Sequence, residues 1–205
     1  MKNTYVLAFD CSTALASVSL NGSRREVPHG KQAALLVPTI EALMQEHGIA
    51  YADLDCIVST TGPGSFTGLR IALATLHGLA LAAGNPVKTI TSSEAVAWGV
   101  GSGHFVVALN AGKGEAFLQE FTVNNGIPQA MTEITLHPQA VIKTFSLPCY
   151  SNLWPEDHTY YIAGPDAAVL ARIAQQLPAT PLSEAMPYYI RDADAIIPQK
   201  PRWLS

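Results

Sequence analysis

The chain has 205 residues, of which 48% are hydrophobic and 14% charged, and this composition excludes intrinsic disorder, which requires low hydrophobicity and high net charge. The formal net charge is −4, so the chain lacks the basic surplus of a protein that grips nucleic acid on its own. Three scattered cysteines exclude a disulfide scaffold and indicate thiols kept reduced in a cytosol.

The first half of the chain predicts a strand hairpin followed by alternating helices and strands. Apolar runs that end at turn residues predict the strands, and Leu and Ile at helical spacing predict the helices. An uncharged apolar stretch from Ile71 to Val87 is shorter than the ~20 residues of a membrane span, so it predicts a buried helix and a strand. The predicted strands are 5–10, 15–20, 25–27, 56–60 and 87–90, and the predicted helices are 32–47, 68–83 and 92–98.

The second half of the chain repeats this order of elements. Asp10 and Asn110 end matching apolar runs, and a Gly-containing turn follows Asn110. Two β-β-β-α-β-α passes in tandem predict an α/β fold of two ribonuclease-H-like lobes, the actin-like architecture, with lobes at 1–103 and 104–205. The predicted strands here are 105–110, 115–123, 129–135 and 160–163, and the predicted helices are 137–145 and 166–177.

A glycine-rich loop, TGPGSFTGLRIA, joins the strand at 56–60 to the next helix. Its glycines permit tight turns and close backbone approach, and Ser65 or Thr67 can cap the helix. A helix N-terminus reached through glycines is one kind of anion site. However, the loop lacks the Lys of a Walker loop and the spacing of GxGxxG, so a structural turn that docks the helix is favoured over a phosphate site.

As a string, GPGSFTGLR resembles the signature of the bacterial TsaB family, also called YeaZ. The resemblance extends to VLAFDCST at the first strand, LLVPTI in the first helix, TSSEAVA, VVALNAGKGEAF and the C-terminal PYYIRDADA. The signature loop that it assigns here consists of Gly62, Pro63, Gly64, Ser65, Phe66, Thr67 and Gly68.

This resemblance implies a subunit of a tRNA-modifying complex. TsaB-like proteins assemble with a TsaD-like paralogue and a TsaE-like ATPase, which together place a threonylcarbamoyl group on the adenosine beside the tRNA anticodon. The TsaD-like member carries the metal and the transfer chemistry. The chain is therefore expected to be a cytoplasmic, non-catalytic partner and stabiliser that does not enter a membrane. It would meet tRNA only through the complex, with ATP or ADP at the complex interface and no cofactor of its own. Glycoprotease and M22 peptidase are names used in this superfamily.

The residues agree with a non-catalytic role. No two of the six histidines are three to five residues apart, so HExxH is absent, and no serine lies in GxSxG. Neither a metal site nor a catalytic residue is therefore predicted. Asp10, with Ser12 and Thr13, is the candidate remnant of a nucleotide loop, although capping of the turn is favoured for Asp10. The rival hypotheses are an ATP-dependent small-molecule kinase or a peptidase of the same fold, and a homodimeric structural protein.

The helices at 32–47 and 68–83 carry more apolar residues than one core-facing stripe needs. In the resemblance, these are the helices through which TsaB-like and TsaD-like subunits pair. The alternative is that the first helix simply covers the sheet. The predicted partner surface consists of Leu36, Thr39, Ile40, Leu43, Arg70, Ala74, Thr75 and His77.

Overall fold

The computed structural model describes residues 4–142, 144–153 and 161–190. Its first sheet has the strand order β3-β2-β1-β4-β5. Strands β1, β2 and β3 form an antiparallel meander, and β4 and β5 run parallel to β1. The bounds are β1 Val6–Asp10, β2 Ala16–Leu20, β3 Ser23–Val27, β4 Cys56–Thr60 and β5 Val87–Ile90.

The second sheet repeats the pairing of the first. The long strands β6 and β7 form an antiparallel hairpin, and β10 runs parallel to β6 as β4 does to β1. Both β8 and β9 pair antiparallel with β7. The bounds are β6 Gly103–Gly112, β7 Glu115–Asn124, β8 Ile127–Ala130, β9 Thr135–Pro138 and β10 Cys149–Ser151.

Helices cover both faces of the first sheet. On one face α1 and α2 bury Leu36, Ile40 and Leu76 against the strands, and on the other face α5 buries Leu170 and other apolar side chains. Helix α3 lies between the two sheets, because it contacts α5 as well as β6, β7 and β8. The bounds are α1 Gln32–His47, α2 Phe66–Ala83, α3 Ser92–Val100, α4 Gln139–Ile142 and α5 Ala167–Ile173.

Three predictions for the second half are wrong in detail. The strand predicted at 129–135 is split into β8 and β9, because Thr132 accepts Gln119 Nε2–H at its carbonyl and Glu120 N–H at its hydroxyl, which interrupts the ladder. The helix predicted at 137–145 shortens to α4, because residues 135–138 pair with β7. The strand parallel to β6 is β10, and the predicted strand at 160–163 contributes one bridge at Tyr161, while residue 160 lies outside the described residues.

Chain order and packing differ at the C-terminal end. Helix α5 belongs to the predicted second lobe by sequence, yet it packs on β1, β2 and β4 of the first sheet. The boundary at residue 103 therefore stays a prediction. By length and composition alone, α2 would be apolar enough to cross a membrane, a test that core helices also pass, and six of its residues are buried in the protein.

Candidate functional site

The signature loop packs directly on the turn that follows β1. Ser65 N–H donates to the Ser12 carbonyl oxygen at 2.7 Å, and the Ser65 hydroxyl accepts Gly68 N–H at 3.2 Å. Of the two candidate caps, Ser65 and Thr67, Ser65 therefore caps α2. A Cβ at Gly64 would lie 2.2 Å from the Ser12 oxygen, and one at Gly68 would lie 1.9 Å from the Cys11 oxygen. Glycine is therefore required at both positions, because carbonyl oxygens of the same chain fill the space that a side chain would need.

Asp10 lies beneath this loop, with no exposed surface. Its two carboxylate oxygens accept from the Thr60 hydroxyl and from Ser12 N–H, the latter at 3.1 Å. Burial raises the pKa of Asp10 to about 6, although the hydrogen bonds from Thr60 and Ser12 lower it. The carboxyl group thus caps its own turn, and neither oxygen faces the solvent.

Asn110 lies two residues before the end of the matching strand β6, where the register with β7 shifts, and makes the same kind of turn. Its side-chain oxygen accepts Gly112 N–H at 2.7 Å, two residues further on, as Asp10 accepts Ser12 N–H. Its own backbone N–H donates to Asn152 Oδ1 at 2.9 Å. Because Asp10 and Asn110 make the same hydrogen bond, the repeat seen in the sequence is also a repeat of turn geometry. The two residues differ in burial, since Asn110 is exposed.

The two strand-end turns open on a shared cleft of about 1070 Å³. Ser12, Thr13 and six signature-loop residues line one side, and the turn at 110–112 lines the other. Gly62, the remaining loop residue, is not among the lining residues and lies against Leu69 and the Tyr188 carbonyl. Among the described lining residues there is no Asp or Glu, and Arg70 is the one Lys or Arg.

The third side of the cleft is formed by residues 188–190, and the residue patterns gave no reason to place this segment there. Tyr188 N–H donates to the carbonyl oxygen of Thr61, the residue before the signature loop, at 2.7 Å, which fixes the segment beside that loop. The Tyr189 ring lies 5.2 Å from the Phe66 ring, and its hydroxyl accepts Arg70 Nε–H at 3.1 Å. Tyr188 and Tyr189 belong to the quoted PYYIRDADA string, of which residues 191–195 lie outside the described residues.

Three residues predicted to face a partner are instead buried. Leu36, Ile40 and Leu43 on α1 have at most 1% exposed surface and pack in the core under the first sheet, so their assignment to the partner surface is wrong. Thr39 is half-buried, and its hydroxyl donates to the Leu35 carbonyl oxygen at 2.7 Å. The side chains of α1 that were expected to contact a partner protein therefore pack against the sheet instead.

The predicted residues on α2 are distributed differently. Arg70 and Ala74 are exposed, whereas Thr75 and His77 are half-buried. The His77 ring nitrogens lie 2.7 Å from the Leu73 carbonyl oxygen and 2.9 Å from that of Leu182, so this ring joins α2 to the C-terminal segment. The solvent-facing sides of α1 and α2 instead carry mainly small and apolar residues, which we term the outer helix face: Ala34, Val37, Pro38, Ala42, Ala74, Gly78, Leu81 and Ala82.

The described lining residues of the cleft include no carboxylate that could hold the metal ion of a metal-bound nucleotide. Among residues 4–142, 144–153 and 161–190, no group of three or more His, Cys, Asp or Glu could hold a metal ion. Both oxygens of Asp10 are occupied by protein donors, and the matching residue, Asn110, carries no charge. The space beside the loop glycines is filled by the carbonyl oxygens of Cys11 and Ser12.

Comparison with known proteins assigns the chain to a family. The model of the family described as "TsaD: tRNA N6-adenosine threonylcarbamoyltransferase" matches residues 27–197, and since this is most of the chain, the chain belongs to that family. Escherichia coli TsaB, a "tRNA threonylcarbamoyladenosine biosynthesis protein", is 29% identical over 66% of this chain and 64% of its own length. The Haemophilus influenzae TsaB protein is 32% identical over 47% of this chain and 43% of its own length.

A transferase of the same family is also similar. The "tRNA N6-adenosine threonylcarbamoyltransferase" of Erythrobacter litoralis is 44% identical over 34% of this chain and 20% of its own length. The chain thus spans less than two thirds of the length of each of these relatives. The predicted resemblance to the TsaB family is confirmed by the two TsaB relatives.

Two solved structures confirm the predicted α/β fold. "YeaZ from Pseudomonas aeruginosa" has a TM-score of 0.73 at 23% identity, covering 92% of this chain and all of that one. A second Pseudomonas aeruginosa structure, of an uncharacterized protein "with similarity to peptidase YEAZ", has a TM-score of 0.77 at 24% identity with the same coverage. Peptidase is one of the names that the family resemblance led us to expect.

Proposed function

We propose that the chain is a non-catalytic subunit in the formation of threonylcarbamoyladenosine on tRNA, and that it binds and stabilises a TsaD-like transferase. The observation that carries the proposal is the match to the TsaD family and to TsaB relatives, joined to a cleft without a metal-binding group among the described residues. A transferase that uses a metal needs several ligands at a usable spacing, and among its described lining residues this cleft offers one imidazole, that of His29, beside amides, hydroxyls and one guanidinium.

The proposed partner surface is the outer helix face. Leu81 is 74% exposed and Val37 39% exposed, and both lie among alanines and a glycine. Small residues let another helix approach closely, and exposed apolar side chains gain free energy when a partner covers them. A Cβ at Gly78 would have no neighbour within 4 Å, so there is room at the middle of α2.

Co-expression with the TsaD-like protein of the same organism, followed by pull-down, tests the partner proposal. Ala74→Glu should abolish or strongly weaken pairing, because an unpaired carboxylate would be buried at the interface. Ile127→Glu is the matched control: Ile127 is 52% exposed on β8 of the second sheet, and this variant should pair normally. If Ala74→Glu is folded and pairs like the wild type, the surface is misplaced.

A separate assay tests the absence of catalysis. The purified chain, incubated with threonylcarbamoyl-AMP and unmodified tRNA, should yield no modified nucleoside detectable by mass spectrometry. When the TsaD-like partner is added, the modified nucleoside should form. Product formed by the chain alone would contradict the proposal. ATP turnover by the chain alone would favour the rival kinase hypothesis, for which neither the cleft nor the loop offers a carboxylate among the described lining residues.

Further parts of the complex belong to the same proposal. A TsaE-like ATPase as third member, contact with tRNA only through the complex, and ATP or ADP at the complex interface rest on the family resemblance. The surplus of acidic residues supports weak intrinsic tRNA binding, because few phosphates would be neutralised. A homodimer through the outer helix face is the alternative, and size-exclusion chromatography with and without the TsaD-like protein separates the two.

A further inference from the structure

One side-chain cluster lies where the cleft meets α2. Phe66, Arg70 and Tyr189 form it, and we term it the arginine cluster. The Arg70 Cζ atom lies 3.8 Å from the centroid of the Phe66 ring, and its Nε–H donates to the Tyr189 hydroxyl at 3.1 Å. The two aromatic rings lie 5.2 Å apart, so an aromatic ring and a hydroxyl from two distant parts of the chain hold one guanidinium.

Among the described residues, nothing pairs with the terminal nitrogens of the Arg70 guanidinium. A guanidinium has five N–H donors, and Nε supplies only one of them. Within the described residues, Nη1 and Nη2 have no hydrogen-bond partner, and because Arg70 is exposed, both nitrogens are accessible to a ligand. The ring of Phe66 and the hydroxyl of Tyr189 restrict the side chain before anything binds, which lowers the conformational entropy lost on binding.

We infer that the arginine cluster receives a single carboxylate from the protein partner of the chain. An oriented guanidinium fork matches a carboxylate through two parallel hydrogen bonds. Nucleic acid fits less well, because a phosphate backbone presents a row of charges. Among the described residues that line the cleft, Arg70 is the one Lys or Arg, and the whole chain carries a net charge of −4. This inference rests on the proposed function, because the partner is the one proposed there.

The position of the cluster supports a role at the edge of the partner surface. Arg70 lies one helical turn before Ala74, which belongs to the outer helix face. Exposed fractions of 38% for Phe66 and 43% for Tyr189 leave both rings accessible to a partner. Aromatic residues and arginine are the side chains most often found to dominate binding energy at interfaces.

Three variants separate charge, fork geometry and orientation, and binding to the purified TsaD-like subunit is measured by calorimetry at several salt concentrations. Arg70→Met keeps a packing stem but loses the charge, and it should weaken binding about 10- to 100-fold, with a shallower salt dependence. Arg70→Lys keeps the charge without the fork and should weaken binding about 3- to 10-fold. Tyr189→Phe keeps the ring and loses the hydroxyl, and it should weaken binding about 2- to 5-fold.

The matched control is Arg25→Met on β3, which removes an exposed arginine from the same lobe and should bind like the wild type. Circular dichroism confirms that each variant is folded. If the wild type binds and Arg70→Met binds equally well with the same salt dependence, the inference is wrong and the proposed function stands. If the wild type does not bind the TsaD-like subunit, the proposed function fails, and the inference fails with it. If Arg70→Met loses affinity for tRNA and keeps it for the protein, the anion is a phosphate and the inference is wrong.

Discussion

The two strand-end turns of the molecule share a hydrogen bond and differ in their surroundings. Asp10 and Asn110 each accept the N–H of the residue two positions further on. The signature loop closes over Asp10 and leaves it without exposed surface, whereas Asn110 lies at the open side of the cleft. The same local turn is therefore buried under the signature loop in one half of the molecule, and in the other half it is exposed and lines the cleft.

This difference explains why the signature-loop glycines that pack on the first turn and the glycine within the second turn have different roles. At Gly64 and Gly68 the neighbouring carbonyl oxygens leave no space for a Cβ. At Gly112 a Cβ would meet nothing within 4 Å, and glycine is favoured there by its φ of +73° alone. The first turn therefore depends on packing between two loops, and the second depends only on local backbone conformation.

The largest expected loss of stability comes from disturbing the contact between the signature loop and the first turn. Gly68→Ala would place a Cβ against the Cys11 backbone and should lower the free energy of unfolding by at least about 3 kcal/mol. Gly112→Asn, in the open turn, should cost about 1 kcal/mol or less, because Asn tolerates positive φ. Urea unfolding measures both values. Equal costs would mean that the loop and the first turn separate more readily than their contacts indicate.

The next effect concerns the buried carboxyl group. The folded-state pKa of Asp10 is raised from 3.8 to about 6 by burial. Between these two values the unfolded state releases the proton and the folded state keeps it, so stability falls as pH rises through this window. Above pH 6, the free energy of unfolding is about 3 kcal/mol lower than it would be if the pKa of Asp10 were the same in both states.

Asp10→Asn removes this titration, so its stability relative to the wild type should rise by that amount between pH 3.8 and pH 6. Unfolding curves collected across this range for both proteins measure the change, and contributions from other groups cancel in the difference. The Asn side chain also replaces one carboxylate oxygen with an NH₂ group, which changes the stability of the variant by an amount that does not depend on pH. Parallel pH profiles would contradict the raised pKa.

The strands and long helices of the first lobe were predictable because their signals are local. The observed bounds of α1, β4 and β5 coincide with the predicted ones, because apolar spacing and Gly48 or Gly84 after a helix define each element without its neighbours. The break between β8 and β9 was not predictable, because it depends on contacts that Gln119 and Glu120 of β7 make with Thr132.

The candidate site was predictable in part. The loop sequence identified the glycines and Ser65 as one of two candidate caps, and the repeat identified Asp10 and Asn110. The face of α1 was misassigned because that helix has apolar residues on both sides, with Leu36 in the core and Val37 at 39% exposure, and spacing alone does not say which side meets the sheet. The contact of Arg70 with Tyr189 joins residues 119 positions apart, and no local pattern encodes it.

A smaller effect isolates the hydrogen bond that lowers the pKa of Asp10. Thr60→Val keeps the side-chain shape, removes the donor to the carboxylate and should cost about 2 kcal/mol at pH 7.5. The cost should be smaller near pH 4, where the carboxyl group is protonated. Ser59→Ala is the matched control: its buried hydroxyl donates to the neutral Phe9 carbonyl oxygen at 2.9 Å, so its cost should not change with pH. Identical pH behaviour of the two variants would contradict a charged acceptor at Asp10.

The smallest effect comes from placing a carboxylate in the open turn. Asn110→Asp keeps the oxygen that accepts Gly112 N–H, and because the position is exposed the charge stays solvated. Stability at pH 7.5 should change by less than about 0.5 kcal/mol, as for most surface substitutions. Unlike Asp10, the new carboxyl group should produce no added loss of stability between pH 4 and pH 6, because no burial penalty raises its pKa. Unfolding curves at both pH values measure this, and a loss as large as that of Asp10 would show that turn geometry, rather than closure by the signature loop, raises the pKa of the buried group.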